Sequence, residues 1–271
     1  MNTPLKPPTV ILIAGHWLGA WAWDDVRAYL TTDGVRSVAL TLPGLDVRDP
    51  DRASRTVEDQ ASAILDVLSH DEHQPAILVA HSGANAPVSL VIDRHPERVH
   101  HVVWVDSGPV STGSAFAPDL PEDVVELPLP PFDVLGQQAS LDELTPERLE
   151  QFRARAVPEP GPVLRQPVDL TNEARRRINT TLVCCSISGA HVLELARNAH
   201  PMFSEVAKLE HLDVIDLPTG HWPMWSRPRD LAQIIEEVAS GSHRLPSEGS
   251  AASDPEETVG RAGLEPATDG L

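Results

Sequence analysis

A serine surrounded by very small residues is the group in this sequence best suited to nucleophilic chemistry. Ser82 follows a short apolar run at residues 76–80 and is flanked by Ala80, Gly83 and Ala84. We predict a strand, a sharp turn and a helix, with Ser82 at the apex, because only small neighbours fit around a turn that pushes the hydroxyl out of the sheet. The alternative is a serine that merely caps the following helix.

A serine hydroxyl attacks a carbonyl carbon only with a nearby base, an acid that orients the base, and backbone amides that stabilise the oxyanion. Among the 12 histidines, His221 is the predicted base, because it lies in a Gly-His-Trp-Pro loop between the last predicted strand and the last helix. The alternative is a structural loop histidine. We expect His81 to serve packing. The remaining histidines are not paired as metal ligands, so we expect no metal and no cofactor.

Three stretches resemble one branch of a known enzyme family. Residues 10–23, VILIAGHWLGAWAW, resemble the H-G-x-x-x-G-A-W-x-W signature of the plant methylesterase and hydroxynitrile lyase-like branch of the α/β-hydrolases. The sequence AHSGA around Ser82 is similar to the G-x-S-x-G nucleophile elbow, and GHWP around His221 also fits. The resemblance covers about residues 9–240. Ala14 departs from it, because the signature has histidine there.

This resemblance implies an α/β-hydrolase fold and an oxyanion hole built from two backbone N–H groups. One would belong to Gly83, the residue after the nucleophile. The other would come from the loop after the first strand, where the match assigns it to His16.

The acid that would orient the base has three candidates. The usual position in the family is the loop after the strand predicted at residues 180–186, but the first carboxylate there, Glu194, lies inside a helix. Asp106 ends the strand that should neighbour the nucleophile's strand, and from there it can reach the same histidine. We predict Asp106, with Glu194 second and Asp216 third. The structural alternative for Asp106 is a cap for its own loop.

Strands and helices alternate along the chain, which predicts a doubly wound, mainly parallel sheet. Apolar runs predict strands at residues 10–14, 35–42, 76–80, 100–106, 180–186 and 212–216. Periodicity and capping residues predict helices at residues 21–32, 56–69, 82–94, 145–156, 191–198, 202–209 and 228–239, and a short one at 173–177. Parallel strands end along one edge of a sheet, where ligands bind, and each predicted triad residue lies at or just after such an end.

This alternation stops after the fourth predicted strand. Residues 107–179 are rich in proline, and we predict a cap or lid inserted over the strand ends. The alternative is a loosely ordered surface excursion. The expected organisation is a core at residues 1–106 and 180–240, a cap at 107–179, and a disordered tail at 241–271.

The 271 residues carry a formal charge of −19, with 40 acids against 21 bases. This charge argues against nucleic acids and anionic membranes as partners. The two cysteines, Cys184 and Cys185, are adjacent in an apolar run and are expected to be reduced. The first apolar run, residues 10–14, is too short to span a membrane. We therefore expect a cytoplasmic enzyme with a small-molecule substrate, and the oligomeric state stays open.

Tryptophans accompany the proposed catalytic groups. Trp17 and Trp222 are predicted to line the pocket, whereas Trp21 is expected in the core. Such a pocket favours a hydrophobic or aromatic acyl or alcohol group. The sequence predicts a serine esterase that cleaves a small ester through an acyl-enzyme. The alternatives are C–C bond cleavage, lyase or cofactor-free oxygenase chemistry at the same site, or small-molecule binding without catalysis.

Overall fold

The predicted apolar runs form strands in the computed structural model, which describes residues 7–69 and 75–241. The strands are β1 Val10–Ile13, β2 Ser37–Leu40, β3 Ala76–His81, β4 Val99–Val105, β5 Glu126–Leu127, β6 Glu159–Pro160, β7 Asn179–Cys184 and β8 Leu212–Asp216. Six of them form one sheet in the order β2-β1-β3-β4-β7-β8, and every pairing in it is parallel. The strands β5 and β6 form a separate antiparallel pair. The predicted doubly wound α/β class is confirmed.

Helices connect the strands of the large sheet. They are α1 Asp24–Thr32, α2 Val57–Ser69, α3 Asn85–Arg94, α4 Phe132–Leu135, α5 Pro146–Arg155, α6 Gly161–Arg165, α7 Gly189–Arg197, α8 Pro223–Ser226 and α9 Pro228–Ala239. Short 3-10 turns lie at Ala20–Trp23, Ser82–Ala84 and Glu173–Arg177, among others. None of the helices at residues 7–69 and 75–241 has the length and apolar character needed to cross a membrane.

The helix predicted at residues 202–209 is wrong. This segment contains one 3-10 turn, Val206–Lys208, preceded by other turns. Its amides bond three residues back, from Phe203 to His200 and from Val206 to Phe203, instead of four. Phe203 and Val206 are buried, so these two apolar side chains anchor a series of tight turns.

The core is divided between the two faces of the sheet. Ile11 and Ile13 of β1 belong to a cluster with buried residues of α2, α3 and α7. Val10 and Leu12 belong to a second cluster, with buried residues of α1 and α9. Because both faces are covered, the central strands read as continuous apolar runs in the sequence.

Residues 107–178 contain one ten-residue helix, α5, at the position predicted for a helix, and otherwise only short elements. A buried ion-pair cluster lies where this segment returns to the sheet. Arg175 donates to Asp93 Oδ1 at 3.1 Å and to Glu205 Oε1 at 2.9 Å, and all three side chains are buried. The disordered tail was expected at residues 241–271, of which Gly241 alone lies within the described residues.

Candidate active site

Ser82 lies at the sharp turn between β3 and α3. Its φ angle is +50°, a left-handed conformation that is strained for a residue with a side chain. The loop after β1 passes very close to this turn at Gly15. A Cβ on Gly15 would lie 2.7 Å from the Ser82 Cβ and 2.9 Å from the Gly83 nitrogen. The absence of a side chain at Gly15 therefore allows the loop after β1 to approach the Ser82 turn.

The three predicted triad side chains are brought together from three strand ends. Ser82 Oγ lies 2.8 Å from His221 Nε2. On the other side of the ring, His221 Nδ1 lies 2.6 Å from Asp106 Oδ2. Because a carboxylate only accepts hydrogen bonds, Nδ1 carries a proton and Nε2 is free to accept the Ser82 proton. The loop of His221 is fixed by its own N–H, which donates to Ser140 O at 2.8 Å.

Asp106 directly follows β4, which pairs with β3 as expected. Its Oδ1 accepts the N–H groups of Cys185 and Ser186 at 3.0 and 2.9 Å, and its Oδ2 accepts the Ser186 hydroxyl at 2.6 Å. Burial raises the pKa of Asp106, but the hydrogen bond and charge of His221, together with the Ser186 bonds, outweigh burial and lower it. The carboxylate is thus held as an anion beside the imidazole.

The other two acid candidates make different contacts. Glu194 is an exposed residue of α7, and its Oε2 lies 3.7 Å from His191 Nδ1. Asp216 Oδ1 accepts the Gly189 N–H at 2.6 Å, at the start of α7. Both carboxylates thus have their contacts on or beside α7.

The two residues predicted for the oxyanion hole lie side by side. The His16 ring packs over Gly83, and a Cβ on Gly83 would lie within 2.3–2.5 Å of three ring atoms. His16 Nδ1 lies 3.2 Å from Glu159 Oε2, and the same oxygen accepts the Trp17 N–H at 3.1 Å. Glu159 is a residue that sequence reasoning missed, because 142 positions separate it from Trp17. Sequence reasoning also missed Ser186. Its position just after β7, the strand beside β4, could have indicated a contact with Asp106.

His81 packs beneath the proposed base, as expected. Its side chain is buried, and Nε2 donates to the His221 carbonyl oxygen at 2.8 Å. Burial and, next, the neighbouring His221 lower the pKa of His81 to about 3. His81 is therefore a neutral packing residue at neutral pH.

A cavity of about 580 Å³ opens beside Ser82. Trp17 and Trp222 line it, as predicted, and the other apolar lining residues include Phe116, Leu135, Ile187, Met202 and Phe203. In the described part of the chain, no lysine or arginine lines this cavity. Trp21, which was expected in the core, is half-buried, packs against the core cluster that contains Val10 and Leu12, and stacks on Trp225 with ring centroids 5.6 Å apart.

The two cysteines are free and buried. Burial, followed by the charges of Asp216 and Asp106, raises the pKa of Cys184 to about 12, and burial also raises the pKa of Cys185. Both are therefore thiols instead of reactive thiolates. Among residues 7–69 and 75–241, no group of three or more histidine, cysteine or acidic side chains is arranged to hold a metal ion.

Comparison with known proteins agrees with the fold. The model of the alpha/beta hydrolase family matches residues 10–234, so the chain belongs to that family. Methylesterase 7 of Arabidopsis thaliana is 24% identical over 254 residues, which cover 84% of this chain and 95% of the relative. Putative methylesterase 14, chloroplastic, of the same plant is 31% identical over 106 residues, which cover 38% of this chain and 30% of that protein.

Solved structures share the fold at low sequence identity. An extracellular alpha/beta-hydrolase from a Paenibacillus species superposes with a TM-score of 0.68 at 19% identity, covering 85% of this chain and 98% of that one. Polyneuridine aldehyde esterase superposes with a TM-score of 0.65 at 16% identity, covering 86% and 100%. The family and the methylesterase relatives support an esterase of the serine hydrolase kind, which is the activity that the sequence predicts.

Proposed function

We propose that this protein is a serine esterase in which Ser82, His221 and Asp106 act as nucleophile, base and orienting acid. The observation that carries the proposal is the unbroken hydrogen-bond chain between them, with 2.8 Å from Ser82 Oγ to His221 Nε2 and 2.6 Å from His221 Nδ1 to Asp106 Oδ2. This is the arrangement that converts a weakly nucleophilic hydroxyl into an acylating group.

The reaction follows from the position of each proton. The Ser82 oxygen attacks the ester carbonyl carbon while His221 Nε2 takes the hydroxyl proton, and the Asp106 anion stabilises the resulting imidazolium. The main-chain N–H groups of Gly83 and His16 hold the oxyanion. His221 then protonates the departing alcohol, which leaves an acyl-Ser82 ester. Water, deprotonated by the same imidazole, releases the acid and restores the hydroxyl.

The proposed substrate is a small uncharged ester with an apolar or aromatic acyl group and a small alcohol such as methanol. A cavity of about 580 Å³ fits a molecule of that size. Its apolar aromatic lining, Trp17, Phe116 and Trp222, suits such an acyl group, and the absence of lysine and arginine from the described lining disfavours an anion. The methylesterase names of the relatives support the small alcohol.

We also propose that residues 107–179 form a cap over the catalytic edge of the sheet. Phe116 and several residues between Leu135 and Ser140 belong to this segment and line the cavity beside Ser82. The cap would thus select the substrate while the sheet supplies the catalytic groups.

Two further proposals concern the protein's surroundings. The charge of −19 supports an enzyme that acts without nucleic-acid or membrane partners. The free buried thiols of Cys184 and Cys185 support a reducing, cytoplasmic location. Cell fractionation of the native protein tests this location, and recovery outside the cytoplasm would contradict it.

The test of the enzyme proposal is the change Ser82→Ala, with Ser69→Ala on the exposed end of α2 as the matched control. We expect the wild-type protein and the control to hydrolyse uncharged aryl and methyl esters and to be labelled by a fluorophosphonate probe. We expect Ser82→Ala to lose the label and to lose turnover by about 10⁴-fold or more while its circular dichroism is unchanged. Labelling or hydrolysis that survives in Ser82→Ala would reject the assignment.

A further inference from the structure

The antiparallel pair β5 and β6 holds the loop that follows β1. Leu127 of β5 and Glu159 of β6 are directly opposite each other in the pair. The Leu127 carbonyl oxygen accepts the indole N–H of Trp17 at 3.0 Å, and Glu159 Oε2 accepts the main-chain N–H of Trp17 at 3.1 Å. Just before β6, the Val157 N–H donates to the Trp17 carbonyl oxygen at 3.0 Å. The pair β5 and β6, together with Val157 just before it, is called the ribbon here. The ribbon binds Trp17 at its main-chain N–H, its carbonyl oxygen and its side chain.

Trp17 needs such restraint because of its backbone conformation. Its φ angle is +64°, in the left-handed region that a bulky side chain disfavours. A strained conformation of this kind persists only where the surroundings hold it, and such residues occur often at functional sites. Trp17 directly follows His16, so the peptide unit between them is fixed by the ribbon.

Glu159 makes the central contact of this arrangement. Its side chain is 1% exposed, and its Oε2 lies 3.2 Å from His16 Nδ1 as well as 3.1 Å from the Trp17 nitrogen. A buried carboxylate is costly to desolvate, so a hydrophobic side chain of similar size would suit a purely structural position better. A single anionic oxygen that accepts two donors from adjacent residues fixes the orientation of the loop more strictly than packing does.

We infer that Glu159 is a positioning residue that holds the His16–Trp17 loop in the orientation in which the His16 main-chain N–H receives the oxyanion, a role that rests on the proposed function. Glu159 itself does not touch the reacting atoms. It acts through the loop, and its loss would displace a donor that is needed mainly in the transition state. Such a loss lowers kcat and leaves KM almost unchanged.

The experiment compares Glu159→Gln and Glu159→Ala with the wild-type enzyme on an uncharged aryl ester. Glu126→Gln is the matched control, because Glu126 lies on the same ribbon but pairs with Arg52 at 2.6 Å. We expect kcat to fall by about 100-fold in Glu159→Ala and by about 3- to 10-fold in Glu159→Gln, whose neutral amide oxygen is a weaker acceptor, with KM within about threefold. We expect the control to keep wild-type values.

A second measurement separates positioning from general damage. The inhibition constant of an aryl trifluoromethyl ketone, which forms an oxyanion on Ser82, should rise in each variant by the same factor as kcat/KM falls. Wild-type kcat and inhibitor affinity in either folded variant would overturn the inference, and so would a fall in kcat without a matching loss of inhibitor affinity. Should Glu159→Ala not fold, Glu159→Gln decides alone. A wild-type protein that neither hydrolyses esters nor reacts with the fluorophosphonate rejects the proposed function itself.

Discussion

At the residue scale, Asp106 receives four hydrogen bonds, from the Cys185 N–H, the Ser186 N–H, the Ser186 hydroxyl and His221 Nδ1. Both carboxylate oxygens are occupied, so the side chain is fixed and the imidazole can adopt only the tautomer that leaves Nε2 facing Ser82. An amide in the same place would present an NH₂ group to one of these donors. The site therefore depends on the charge of Asp106 as well as on its shape.

We expect the change Asp106→Asn to lower kcat by about 10³- to 10⁴-fold with the fold intact, because the imidazole loses its orienting anion. Ester hydrolysis at pH 7 measures this, with circular dichroism as the check of folding. Glu194→Gln is the control, since that exposed carboxylate pairs with His191. A large fall in kcat in Glu194→Gln, together with an active Asp106→Asn enzyme, would show that Glu194 is the orienting acid.

His81 should make the protein less stable as the pH falls. Its pKa is about 3 in the folded protein, lowered from 6.5 by burial and the adjacent His221, so below pH 6.5 the unfolded chain gains a proton that the folded chain does not. From pH 7 to pH 5 this group should lower the free energy of unfolding by about 2 kcal/mol. The pKa of Asp106 is also lowered, so its contribution to stability falls with pH in the same direction, but this loss begins only near its unfolded value of 3.8, outside this window.

The change His81→Gln tests this effect, because an amide can still donate to the His221 carbonyl oxygen. We expect urea unfolding of the variant to show a smaller decrease in stability between pH 7 and pH 5, by about 2 kcal/mol. His100→Gln, at an exposed position of β4, is the control. Equal pH dependence in wild type and His81→Gln would contradict a neutral buried His81.

The positions of the proposed catalytic residues were predictable where neighbouring residues in the chain reveal them. Ser82 has small residues around it, Asp106 ends an apolar run, and His221 lies in a loop between a strand and a helix. Their meeting point follows from parallel topology, since strand ends share one edge. Glu159 has no such local signal, because the role proposed for it depends on a two-residue strand that pairs with Leu127, 32 positions earlier in the chain.

At the scale of elements, the sheet was predictable, and so were α5 and the turn Glu173–Arg177 between β4 and β7, but the strands β5 and β6 were not. Strands covered on both faces give continuous apolar runs, and α9, whose bounds match the prediction, has one clear apolar stripe. The strands β5 and β6 contain only two residues each, too few for an alternating pattern. Their pairing brings Leu127 and Glu159 to Trp17, a long-range contact that no local sequence pattern records.

At the scale of the whole molecule, the excess of acids should govern which esters are accepted. The sequence carries a charge of −19, and the described lining of the cavity has no lysine or arginine to bind an anion. We expect kcat/KM for an uncharged aryl ester to exceed that for its carboxylate-bearing analogue by about tenfold or more at low salt. This ratio of the two kcat/KM values should decrease as salt rises to about 0.5 M, because salt screens the repulsion between the negatively charged protein and the anionic ester.

Steady-state kinetics with the two esters at low and high salt measures this preference. The wild-type enzyme serves as its own control, because the uncharged ester should respond little to salt. Faster hydrolysis of the anionic ester at low salt would contradict both the electrostatic argument and the proposed substrate class.

The ribbon that grips Trp17 also has a consequence for how such an enzyme could diversify. It belongs to the stretch of chain proposed as a cap, in which Phe116 and Leu135 line the cavity and Glu159 contacts Trp17. Replacing this stretch with one from another protein, to admit bulkier molecules, would also remove the contacts that hold the Trp17 loop. We therefore expect substrate selectivity and turnover to change together, and a working replacement segment must supply its own acceptor for the Trp17 main-chain N–H.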